Sequence, residues 1–89
     1  MQFIVQFEVG PENRKAVIQR FLETGGAPPE GVTMLGRWFT ADGAYGFAIA
    51  ESDDSQALAT WSLAWNDLLR LDVRPALDDE GMGQVLTSG

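Results

Sequence analysis

Arg37 stands inside the apolar run Met34-Leu35-Gly36-Arg37-Trp38-Phe39. A charge left unpaired among such neighbours is costly, so this guanidinium calls for a carboxylate, a cluster of carbonyls or a bound anion. An ion pair with Glu51, Glu8 or an acid of a partner chain would meet that need structurally. A clamp on a ligand's carboxylate or phenolate, made with the bidentate fork of arginine, would meet it functionally. A plainly solvated arginine is the third reading. Trp38, beside it, is either an interface anchor or the wall of a cavity. Gln6 and Glu8 near the start of the chain, and Arg70, Asp72 and Arg74 near its end, alternate with apolar residues. They read as a charge ladder with Glu8 opposite Arg70 or Arg74, or as the polar floor of a cleft. Glu51 is a candidate carboxylate for proton transfer, should its pKa be raised. The candidate ligand-binding set is therefore Arg37, Trp38, Gln6, Glu8, Glu51 and Arg74, with no catalytic residue assigned.

Other chemistry is thinly represented. The chain has no histidine and no cysteine, which removes the common general base, the thiol nucleophile and the usual zinc and haem ligands. The glycines form no phosphate-binding GxxxxGK[ST] loop. Asp53-Asp54 and Asp78-Asp79-Glu80 lack the spacing of a calcium loop. The expectation is no metal and no cofactor.

These residues sit on elements that can be read from periodicity. Phe3, Val5, Phe7 and Val9 alternate with Gln2, Gln6 and Glu8, Ile4 being an apolar exception; this is a half-buried strand. Gly10-Pro11 ends it, and Pro11 suits the first turn of a helix running to Thr24, with Val17, Ile18, Phe21 and Leu22 as its stripe. Gly25-Gly26 stops that helix. Val32–Thr40 and Ala44–Glu51 read as a hairpin about Ala41-Asp42-Gly43. Simple alternation puts Met34, Gly36 and Trp38 on one side of the first arm and Leu35, Arg37 and Phe39 on the other, without saying which side is inner. On the second arm, Tyr45, Phe47 and Ile49 oppose Gly46, Ala48 and Ala50.

A second helix begins at Ser52-Asp53-Asp54-Ser55, with Asp53 as a cap three residues before Gln56. Leu58, Trp61, Trp65 and Leu68 fall on one of its faces. Leu69–Leu77 is a last strand, and Pro75 marks it as an edge. Residues 79–89 read as an acidic tail holding one short helical turn, beyond an ordered core of about residues 1–78. The whole is a single domain over 1–89. Strand, helix, strand, strand, helix, strand is the ferredoxin-like βαββαβ order. It predicts an α+β sandwich with an antiparallel four-stranded sheet, order 4-1-3-2, and two helices on one face.

Both arms of the hairpin are apolar on both faces, which calls for cover on both faces. A chain of 89 residues buries only roughly 60–65% of the surface its unfolded form exposes. Disulfides and zinc are excluded, so the second cover is predicted to be another copy. The net charge of −7 repels phosphate backbones and anionic membranes; neither nucleic acid nor membrane is expected as a partner. No apolar run approaches a bilayer span and no basic, apolar leader opens the sequence, which predicts a cytoplasmic protein.

The run RFLETGGAPPEGVTMLGRW, Arg20 to Trp38, and the block WSLAWNDLLRLDVRPALDDE, Trp61 to Glu80, resemble the signature of a family of short bacterial proteins, the domain of unknown function numbered 3303. With the opening strand, the resemblance covers about nine-tenths of the chain. That family is similar in organisation to dimeric α/β-barrel proteins, in which two ferredoxin-like sheets pack face to face, and the resemblance implies no reaction or cofactor. Family members often carry a polar or histidine residue after the LGRW tryptophan; here it is Phe39. The leading reading is a homodimer that binds a small organic ligand in a cleft at the sheet face. A cofactor-free monooxygenase-like or isomerase-like enzyme and a pure protein-interaction module are the alternatives.

Overall fold

A computed structural model describes residues 1–88. The chain forms β1 (Gln2–Val9), a 3-10 turn at Pro11–Asn13, α1 (Arg14–Thr24), β2 (Thr33–Phe39), β3 (Tyr45–Glu51), α2 (Ser55–Leu63), β4 (Leu69–Ala76) and α3 (Asp79–Ser88). The strands make one antiparallel sheet in the order β2-β3-β1-β4. This is the expected 4-1-3-2 order of the ferredoxin-like fold, and Pro75 lies on the edge strand. Among the described residues no helix is long and apolar enough to cross a membrane.

Register decides which side chains face the helices. Val5 pairs with Ala48 on one side and Val73 on the other; Phe7 pairs with Gly46 and Leu71. These residues, with Phe3 and Ala50, form the inner face. The buried core is Val32, Ala50, Ala57 and Leu58, with Phe3 and Trp61 packed against it. The inner positions of β3 are the small ones, and Ala48 and Ala50 are buried completely or nearly so. At Gly46 even a methyl group would overlap the Phe7 ring and approach the Trp38 carbonyl oxygen to 2.7 Å.

The hairpin between β2 and β3 closes as its turn residues predict. Gly43 adopts φ +73°, a region open to glycine at little cost. Asp42 accepts hydrogen bonds from the Thr40 hydroxyl (2.6 Å) and the Ala44 N–H (3.0 Å).

Simple alternation fails in β2. The register shifts between Met34 and Gly36, so Met34 opposes Ala50 while Gly36 opposes Ile49. Leu35 is the extra residue of a bulge. Met34 therefore shares the inner face with Arg37 and Phe39, while Gly36 and Trp38 face outward. A glycine isolated in a strand is the signal for such a bulge.

Three further expectations need correction. The cap of α2 is Asp54, whose side chain accepts from the N–H groups of Gln56 and Ala57; Asp53 instead meets the N-terminal ammonium at 3.1 Å. Helix α2 stops at Leu63, so Trp65 and Leu68 lie in the following turn rather than on its face. The segment read as a single turn and a tail is the ten-residue α3. Gly81 and Gly83 hid this helix by lowering its propensity. The Asp78 carboxylate accepts from the Gly81 N–H at 2.8 Å, and Asp79 and Glu80 in the first turn suit the positive end of its dipole.

Candidate functional site

Helix α1 stands back from the sheet, and polar groups hold it along its length. Near its start, the Asn13 side-chain amide donates to the Leu68 carbonyl at 3.2 Å. At its middle, Arg20 makes a two-pronged contact with the Asp67 carboxylate (2.8 and 2.9 Å) and donates to the Ala64 carbonyl at 2.9 Å. Past its end, Arg37 reaches from β2 and donates to the carbonyls of Gly26 (2.7 Å) and Gly25 (3.0 Å).

Between these attachments the space under α1 is hollow. A cavity of about 320 Å³ lies between sheet and helices. Its floor includes Val5, Phe7, Phe39 and Leu71, its roof Val17, Ile18 and Phe21, and its far wall Trp61 and Trp65. Ligand pockets commonly have this character, apolar walls with a few polar groups, at volumes from about 300 Å³ upward. The aromatic walls pack edge to face: Phe39 meets Phe7 at 5.7 Å and Phe21 at 5.8 Å between ring centroids.

Arg37 borders this cavity, on the helix side of the sheet. Its guanidinium carbon lies 5.0 Å from the centre of the Phe21 ring and 5.7 Å from that of Phe39, within cation–π range. Burial pushes its pKa below the usual arginine value, but a guanidinium keeps its proton in proteins. Among the described residues no carboxylate forms an ion pair with it. Of the partners the sequence left open, ion pairs with Glu8 or Glu51 are not formed, because both acids lie on the opposite sheet face; a carbonyl cluster, also among them, holds the guanidinium.

The remaining candidates are not brought together with Arg37. Gln6 and Glu8 border a shallow outer-face depression of about 380 Å³, with Arg70, Asp72, Tyr45 and Phe47. Glu8 is the register partner of Arg70, yet the ion pair observed on β4 joins Arg74 to Asp72 at 2.9 Å. Contact with that carboxylate raises the Arg74 pKa. Glu51 lies at the far end of β3, opposite Gln2 and Thr33. Trp38 stacks on Phe47 at 5.2 Å on the outer face and is 54% exposed. Within one chain, the cavity that Arg37 borders lies between the sheet and its own helices, on the face opposite Gln6, Glu8, Glu51 and Trp38.

The residue pattern did not single out Arg14, Phe21 or Gly26 as site residues, and placed Trp61 and Trp65 only on one face of a helix. The sequence offered only the pair Gly25-Gly26 as a helix stop; the structure adds that Gly26 sits at φ +59° and that a Cβ there would come within 2.8 Å of the Arg37 guanidinium.

The chain belongs to the family described as Domain of unknown function (DUF3303), whose profile matches residues 1–89. No curated protein matches it. Among solved structures it is similar to Rv0793 from Mycobacterium tuberculosis, at 17% identity and a TM-score of 0.50, covering 88% of this chain and 95% of that one. It is also similar to a Deinococcus radiodurans protein named after the antibiotic biosynthesis monooxygenases, at 12% identity and a TM-score of 0.49, covering 88% and 94%. The likeness to Rv0793 is one of fold.

Proposed function

We propose that this chain is a cytoplasmic homodimer that binds a small organic ligand in the cavity beneath α1. The observation that carries this reading is the hollow itself. An inner sheet face would ordinarily be filled by helix side chains, yet no large side chain among the described residues is fully buried. Interiors normally pack as densely as organic crystals, so an apolar space of this size is a place for an occupant.

A second copy is proposed for the outer face. Trp38, Tyr45, Phe47 and Ile4 are 54%, 52%, 43% and 37% exposed there. Aromatic anchors of this kind dominate protein interfaces, and one copy alone leaves them in water.

A thermal-shift screen across metabolite classes tests the ligand. Some apolar compounds are expected to raise the melting temperature, and Val17→Trp, which grows a side chain from the roof into the hollow, is expected to remove those shifts. Shifts that persist unchanged in the variant would place the ligand elsewhere.

A cofactor-free enzyme is the second reading. It is favoured by Arg37 bordering the same cavity, placed to stabilise an anion developing on a substrate bound there. Consumption of a stabilising compound on incubation with the protein would support it.

A further inference from the structure

Resting on the cavity reading above, we infer that the occupant is an aromatic carboxylic acid whose carboxylate sits on Arg37. The first observation is the sign of charge around the hollow. The chain carries −7 overall, yet the charged residues bordering the cavity are Arg14 and Arg37, with no aspartate or glutamate among them. The two stand near opposite ends of α1: Arg14 opens the helix, and Arg37 holds the carbonyls just past its end. A cleft with apolar walls bordered by one sign of charge focuses potential for a ligand of the other sign.

The second observation is how Arg37 is held. Both terminal nitrogens are engaged by carbonyls, and the rings of Phe21 and Phe39 lie within cation–π range. The guanidinium is thereby fixed in orientation with N–H donors left over. The carbonyls at a helix C-terminus offset part of its charge but supply no full negative charge. A carboxylate would complete the neutralisation and could accept the remaining N–H groups in a charge-assisted contact. The walls select the rest of the molecule. Phe7, Phe21, Phe39, Trp61 and Trp65 offer ring faces and edges, which favour flat aromatic partners. A neutral apolar ligand would fill the space and leave the cation unanswered.

Calorimetric titration with 2-naphthoate and its neutral amide, 2-naphthamide, separates the two levels of the claim. Wild-type protein is expected to bind naphthoate at least about tenfold more tightly, the scale of one charge-assisted hydrogen bond. Arg37→Met is expected to abolish that preference and Arg37→Lys to restore part of it. Since Arg37 also holds α1, the comparison of the two probes on wild-type protein decides the matter without any variant. Equal affinity for acid and amide, or a preference that survives in Arg37→Met, would overturn the carboxylate anchor and leave the cavity reading standing. Binding of neither probe would overturn the aromatic-acid assignment and count against the cavity reading as well.

Discussion

Arg20 and Asp67 join α1 to the turn after α2 by a two-pronged contact. The Arg20 hydrogen bond holds the Asp67 carboxyl below its usual range, and Asp67 raises the pKa of Arg20 in return. The hydroxyl of Thr40 and the Ala44 N–H lower Asp42 in the same sense. A carboxyl whose pKa is depressed on folding lends stability above its unfolded value of about 3.9, and that stability is lost as the pH falls through the folded value. The melting temperature is therefore expected to fall on acidification below about pH 4. In Asp67→Asn the fall is expected to be shallower and the neutral-pH melting temperature lower; an unchanged acid profile would show that the pair contributes nothing. Arg37 makes no such contribution, since it stays charged throughout.

At the scale of elements, caps and close approaches make the sharpest contrasts. Asp54→Ala removes the acceptor for two N–H groups at the start of α2 and is expected to cost about 1 kcal/mol. Asp53→Ala breaks only an exposed contact with the N-terminus and should stay within about 0.5 kcal/mol. Urea midpoints of the two variants separate them, and a larger loss at Asp53 would reinstate the cap read from sequence. Gly46→Ala presses a methyl group into Phe7 and the Trp38 carbonyl, an overpacking expected to cost about 1–3 kcal/mol.

The first and last strands were legible because they alternate, the hairpin because Ala41-Asp42-Gly43 marks its turn, and the sheet order because four strands and two helices in this sequence admit few topologies. The Leu35 bulge was not, since alternation counted through Gly36 misplaces Met34. Nor was α3, where two glycines mask a helix begun by Asp78. Arg37 was legible as a residue in need of partners. Its carbonyl partners were not, because the approach of β2 to the end of α1 is a tertiary event that no local pattern encodes.

For the molecule as a whole, the two faces of one sheet are proposed to serve different tasks. The outer face, with Trp38 stacked on Phe47, is assigned to a second copy. Sedimentation is expected to show a dimer at micromolar concentration, and the double variant Trp38→Ala, Phe47→Ala is expected to sediment as a monomer; a wild-type monomer would remove that assignment. The inner face is assigned to the ligand, and the three tryptophans report on both faces at once. Trp61 and Trp65 border the cavity, while Trp38 lies outside it. The most direct measurement is a nitrogen–proton correlation spectrum of the three indole N–H groups during titration with 2-naphthoate. The account predicts that the Trp61 and Trp65 signals move together and saturate while Trp38 stays in place. Movement of Trp38 alone, or of none of the three, would contradict it.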